Sequence, residues 1–148
     1  MDMEVKQSDG FDEFNKQIDA AIFSGIKNAC RFLQAKIIRS FGSEGGGGKR
    51  QTKKQRNVYE PAPPGKFPGV RSGFLRDSIY ADFDEKNTTG AVGSIAKHAE
   101  WMEFGNQRRN VKPRPWLLRN FNLWQAKCEK LIVAEIEKLI ASLPEKPQ

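Results

Sequence analysis

Proton transfer in this chain would have to involve His98, the only histidine, with Glu100 and Glu103 just after it at helical spacing. A histidine with carboxylates is the raw material of a triad or a metal site. A triad also needs a marked nucleophile, and a metal site needs further ligands at suitable spacing. Neither is present in the pattern, so His98 reads as a structural histidine at a helix end. Glu100 and Glu103 lie three apart and share a helix face, where carboxylates are expected to be solvated or paired with arginine; Arg108 or Arg109 is the expected partner. Gly45-Gly46-Gly47-Gly48-Lys49 invites comparison with a phosphate-binding loop, but position 43 is serine and Lys49 is followed by Arg50. The element before it reads as a helix, whereas that loop joins a strand to a helix. The sequence therefore predicts no catalytic residue, no cofactor, no metal site and no enzyme.

The chain has 148 residues and a net charge of +7, which suits one domain, residues 1–148. The charge is uneven. Residues 1–41 carry six basic and six acidic groups, residues 42–72 carry seven against two, and the rest carries twelve against ten. The excess belongs to one loop. Its basic run, Lys49, Arg50, Lys53, Lys54 and Arg56, has no aromatic until Tyr59. Such a run suits phosphate neutralisation and offers no stacking platform for bases; a solvated charge run is the plain alternative. Cys30 and Cys128 sit inside apolar helical patterns and read as small core residues in a reducing compartment. No apolar run is long enough to span a bilayer and no signal peptide is visible, so a protein made in the cytoplasm, with no membrane partner, is expected.

The elements that would position these residues follow from periodicity. Phe14, Ile18, Ala21, Ile22, Ile26, Ala29, Leu33 and Ile37 step by three and four, predicting a helix over 9–41 that Asp9 caps and Gly42 stops. Residues 42–72, with consecutive glycines and then Pro61, Pro63, Pro64 and Pro68, predict a flexible basic arm without regular structure, ordered by a partner. Over 73–112 the pattern predicts a hairpin, strands 79–83 and 91–95 around a turn at 87–90, then a short helix over 97–104 and a third strand at 108–112. Pro115 suits the first turn of a last helix over 115–142, carrying Leu117, Phe121, Trp124, Cys128, Leu131, Ile132, Ile136 and Leu139. Trp101, Trp116 and Trp124 are expected between sheet and helices, with Trp101 or Trp116 at a subunit boundary as the alternative. The fold class expected is α+β: a small antiparallel sheet packed by a long N-terminal and a long C-terminal helix, with a long Gly/Pro-rich basic loop.

Four pieces occur in order: Pro68-Gly69-Val70-Arg71-Ser72-Gly73 running on through Leu75-Arg76 to Ser78-Ile79, then Val92-Gly93-Ser94, then His98-Ala99-Glu100 with Glu103-Phe104-Gly105, then Arg114-Pro115-Trp116-Leu117. Over about residues 64–121 this series resembles the neck and tail-completion proteins of tailed bacteriophages, the minor tail components that act in head-tail joining. The resemblance implies a noncatalytic virion subunit of the neck or tail, assembled in the host cytoplasm into an oligomeric ring around the DNA channel. Its partners would be further copies of itself and other neck and tail proteins. Gly73, Leu75, Ser78, Glu103, Phe104, Gly105, Pro115 and Trp116 match the family's scaffold positions, with packing expected from Leu75, Phe104 and Trp116. Lys49, Arg50, Lys53, Lys54 and Arg56 are the candidates for non-specific DNA or partner contact. The chain departs from the family pattern at His98, at Asn106 and in the basic insert before Pro61. The alternative is a monomeric nucleic-acid-binding accessory protein that uses the loop at 49–56.

Overall fold

The structure, a computed structural model, describes residues 2–51 and 56–145. It is an α+β fold in which a small antiparallel sheet is packed by a long N-terminal and a long C-terminal helix. In chain order the elements are α1 (Asp2–Ser40), β1 (Gly47–Gln51), β2 (Arg56–Glu60), α2 (Phe74–Asp77), β3 (Ile79–Asp84), β4 (Thr89–Ser94), α3 (Ala99–Phe104) and α4 (Leu117–Ser142), with one 3-10 turn at Gln107–Arg109. None of the described helices is long and apolar enough to cross a membrane.

Helix α1 begins seven residues before the expected cap, so Asp9 lies inside it rather than at its start. Glu4, Val5, Lys6 and Gln7 supply no break, and a lone glycine such as Gly10 costs a helix only about 1 kcal/mol. The far end stops where expected. Gly42 takes a φ of 77° and its N–H donates to Pro68 O at 2.8 Å, while Ser43 Oγ donates to Ser40 O at 2.6 Å.

α4 runs antiparallel along α1. A Cβ on Gly25 would fall 2.6 Å from Ile132 Cα, so glycine is what lets the two backbones approach. Phe32 meets Trp124 edge-on at 5.6 Å, and Cys128 Sγ lies 3.7 Å from Ala29 O. Fully buried Asn120 donates from Nδ2 to Ser40 Oγ at 2.9 Å and to Trp116 O at 2.7 Å. The helix starts at Leu117, two residues later than expected, so Pro115 precedes it and Trp116 holds the cap position.

α1 also lies on the β3–β4 hairpin, whose register pairs Ile79 with Ser94 and Asp84 with Thr89 across a turn at 85–88. Gln34 Nε2 donates to Ile79 O at 3.0 Å. Gly90 admits α1 closely, since a Cβ there would sit 2.7 Å from both Cys30 Sγ and Ile26 Cγ2. Leu33, Ile37, Phe41, Ile79, Ala96, Ala99 and Trp116 form the buried core where helix, hairpin and α3 meet.

Two expectations are corrected here. The stretch 42–72 contains regular structure: β1 and β2 pair antiparallel, from Gly47 opposite Glu60 to Gln51 opposite Arg56. The prolines all follow Glu60 and leave the strand residues their donors, while Gly45, Gly46 and Gly47 take positive φ to turn the chain into the ribbon. Residues 61–72 then pack back on the body, with Ala62, Phe67 and Pro68 buried. The third strand at 108–112 is absent among the described residues. Asn106 Oδ1 accepts the Arg109 N–H at 3.1 Å to close the 3-10 turn, and Asn110, at φ 53°, turns the chain back to a single bridge between Asn106 and Val111.

Candidate functional site

The residues that the sequence marks as scaffold converge around α3. Glu103 is buried, and its carboxylate closes the N-terminus of α4: Oε2 accepts the N–H groups of Trp116 at 2.8 Å and Leu117 at 2.9 Å, and Oε1 accepts that of Leu118 at 3.0 Å. The first turn of a helix has unpaired donors and a positive dipole end, so a carboxylate supplied from another element caps it and satisfies itself. Trp116, only 3% exposed, returns the contact by donating Nε1–H to Ala99 O at 3.0 Å. Together the two side chains clasp α3 to α4.

This corrects the expectation that Glu103 pairs with arginine. Arg109 instead lies over the Trp101 ring, 4.3 Å from its centroid, and Glu100 points to solvent. The two glutamates therefore do not act as a pair. Gly105 ends α3 at φ 79°, and a Cβ there would meet Pro113 Cδ and Val111 O at 3.0 Å. Phe104 was expected to pack but is 74% exposed, because the backbone turn at Gly105 leaves it on the outer side of α3.

The other scaffold residues shape the start of the hairpin. Gly73, at φ 83°, precedes the single turn of α2, and its carbonyl accepts the Asp77 N–H at 2.8 Å. Leu75 packs half-buried against the core, and its carbonyl accepts Ser78 Oγ–H at 2.6 Å. That donation uses the one Ser78 hydroxyl proton, so Ser94 Oγ–H donates to Ser78 across 2.6 Å and in turn accepts the Ala96 N–H at 3.0 Å. His98, half-buried before α3, stacks on Phe74 with ring centroids 6.0 Å apart.

The basic candidates fall on the ribbon. Lys49 and Arg50 are on β1 and Arg56 is on β2, opposite Gln51; Lys53 and Lys54 lie outside the described residues. The four glycines lead into a strand with no helix N-terminus behind them, so they form no phosphate-binding loop. Sequence reasoning missed what holds the ribbon's base. Glu44 accepts a two-pronged hydrogen bond from Arg119 on α4 as well as the Phe67 N–H at 2.8 Å, and the Arg119 guanidinium lies 4.1 Å from the centre of the Phe67 ring. These bonds, with Arg119 foremost, hold the Glu44 carboxyl down at about 2. Arg114 is buried, donating Nε–H to Ala62 O and Nη1–H to Lys112 O at 3.0 Å. Glu44 and Glu60 are the only acids in an otherwise basic stretch, which was the available signal.

Two openings stand out among the described residues. An apolar groove of about 860 Å³ runs between α1, β4, α3 and α4, with Ile26, Leu33, Val92, Phe121 and Ile132 on its walls. Cys30 and Cys128 also face it as free thiols; burial pushes both up, and each thiol would ionise against a neighbouring negative group, Cys128 for the first and Glu129 for the second. A second cavity of about 600 Å³ lies between Val70, Phe74, His98 and Arg114. Among the described residues no group of three or more His, Cys, Asp or Glu side chains is placed to hold a metal ion. No protein-family model, curated protein or solved structure matches the chain.

Proposed function

We propose that this protein is a structural virion subunit of a tailed-phage neck or tail, acting in tail completion or head-tail joining as one member of a ring around the DNA channel. The observation that carries the reading is how its polar side chains are used. Glu103 is spent on the α4 N-terminus, Ser78 on Ser94 and the α2 carbonyl, Glu44 on Arg119, and His98 against Phe74. Each holds backbone or body in shape, which suits a part whose job is to fix angles between neighbours. The ordered sequence motifs supply the family resemblance, and the ribbon supplies a projection for contact with DNA or a neighbouring subunit.

A second reading, a monomeric nucleic-acid-binding accessory protein, is favoured by one feature. A basic two-stranded ribbon is a shape the DNA major groove admits. Light scattering on the purified chain with negative-stain images separates the two: rings support the neck reading. A monomer whose DNA affinity falls steeply with salt supports the accessory reading and sinks the first.

A further inference from the structure

We infer that the second cavity is a binding site for one carboxylate group carried on an apolar body, and that Arg114 is the side chain that receives it. The site is independent of the neck reading, because a pocket of this kind serves a ring subunit and an accessory protein alike. At about 600 Å³ the cavity has the size of a recess that takes a small ligand or the end of a peptide. Its charged wall is of one sign: Arg71, Arg76 and Arg114 line it together with His98, and no aspartate or glutamate does. Three of the four ordered sequence pieces meet there, the first through Arg71 and Arg76, the third through His98 and the last through Arg114.

Arg114 is the decisive group. It is only 9% exposed, and a buried charge is costly unless an opposite charge meets it. A guanidinium has five N–H donors; here Nε–H goes to Ala62 O at 2.5 Å and Nη1–H to Lys112 O at 3.0 Å. Both acceptors are neutral carbonyls. Among the described residues no carboxylate forms an ion pair with Arg114, and its Nη2 makes no hydrogen bond. Arg119 shows the contrast, since Glu44 meets its guanidinium with both carboxylate oxygens. A carboxylate entering the cavity gives Arg114 the counter-charge that Arg119 has within the chain.

The neighbouring groups set what else the ligand carries. Arg76 already has a counter-charge, Nε donating to Asp77 Oδ1 at 2.9 Å, and Arg71 is engaged in an interaction of its own. The site therefore matches a single negative charge, as on a carboxylate, better than a phosphate monoester with about −1.5 to −2 at neutral pH. Much of the remaining wall is apolar, with Phe41, Val70, Leu75 and Met102, and Phe74 stacks on His98 with ring centroids 6.0 Å apart. A bare ion leaves that surface against water, whereas an aromatic or aliphatic body covers it. Two sources present this chemistry: a small organic acid, and the free end of a polypeptide whose last residue is apolar.

Met102 is the reporter, since it lines the cavity while the other two methionines, Met1 and Met3, stand at the start of the sequence. The full chain, labelled with carbon-13 at its methionine methyl groups, is titrated and followed by NMR, and Met102→Leu assigns the signal. Phenylacetate stands for the small acid, N-acetylphenylalanine for the chain end, and the amide of each is its control. The expected result is a saturable movement of the Met102 signal by at least one acid with a Kd of about 1 mM or tighter, and about a tenfold loss on amidation. The acid that binds tighter identifies the source. Arg114→Lys keeps the charge and loses the fork, so it is expected to weaken the acid about tenfold, with circular dichroism checking the fold. Should that variant not fold, the comparison of acid and amide on the wild-type chain decides alone. Equal binding of acid and amide makes the cavity an apolar pocket only, and tighter binding of phenyl phosphate assigns it to a phosphate. No movement by any probe up to about 10 mM removes the site, and each of these three results overturns the inference.

Discussion

Replacing Glu103 tests the clasp between α3 and α4 most directly. In Glu103→Ala the N–H groups of Trp116, Leu117 and Leu118 lose their acceptor together, and Trp116 N lies in a buried setting. Loss of a helix cap costs about 0.5–2 kcal/mol, and hydrogen bonds to a charged group are worth about 1.5–3 kcal/mol each. The three bonds share one carboxylate, and Leu118 can regain water, so the sum is well below three independent bonds. A loss of about 3 kcal/mol is expected. At about 2–4 °C per kcal/mol for a chain of this size, the midpoint of thermal unfolding falls by about 6–12 °C at fixed protein concentration. Glu103→Gln provides the control. Its amide oxygen can keep accepting, but its NH2 group must face a backbone N–H, so it is expected to fall between wild type and Glu103→Ala. Urea midpoints should follow the same order with an unchanged m-value, because no new surface is exposed in the native state. If Glu103→Ala melts within about 1 °C of wild type, the carboxylate does not carry the cap and the account of the clasp is wrong.

Three further outcomes follow from contacts elsewhere. Glu44 has a folded value of about 2 against an ordinary 4.5, so the stability that it contributes is complete above about pH 4.5 and is lost as the pH falls toward 2. Melting curves from pH 6 to pH 2.5 should show Glu44→Gln with a shallower acid decline than wild type; parallel declines would discount the Arg119 clamp. Gly25→Ala sets two principles against each other: helix propensity favours alanine by about 1 kcal/mol, whereas a Cβ 2.6 Å from Ile132 Cα predicts an overpacking loss of about 1–3 kcal/mol. Denaturant titration should give net destabilisation that Ile132→Ala does not relieve, since the obstructing atoms are backbone. Finally, Gly46→Ala should loosen the ribbon's base, because Gly46 has φ 80° and its Cβ would lie 2.5 Å from Ala62 N. Hydrogen exchange at the amides of β1 and β2 is the readout, and unchanged protection would refute the contact.

How much of this was legible in the sequence depends on the range of the interaction. Residues whose role is set by neighbours in the chain were readable: the apolar spacing from Phe14 to Ile37 gave α1, the alternation around Ile79 gave the hairpin, and Gly42 gave the stop. Asp9 misled because a cap residue marks a helix start only where the chain before it cannot continue the helix, and residues 2–8 contain no proline or glycine to stop it. Residues 42–72 misled for a different reason. Glycine and proline density argues against regular structure only when spread through a segment, and here the glycines lie before and at the start of β1 while the prolines all follow β2. Glu103 was flagged for the right position and the wrong partner. Local spacing offered Arg108 and Arg109, but three backbone donors at the start of α4 present a more complete set of bonds to one carboxylate than an exposed arginine does, and they need no side chain to be ordered. Glu44 with Arg119 and Asn120 with Ser40 join residues some 75 to 80 positions apart, and no periodicity encodes them. The pairings that fix how the body's parts sit against each other are therefore the ones that only the three-dimensional arrangement reveals. The predictions on Glu103, Glu44 and Gly25 test those long-range pairings rather than the helices and strands they connect.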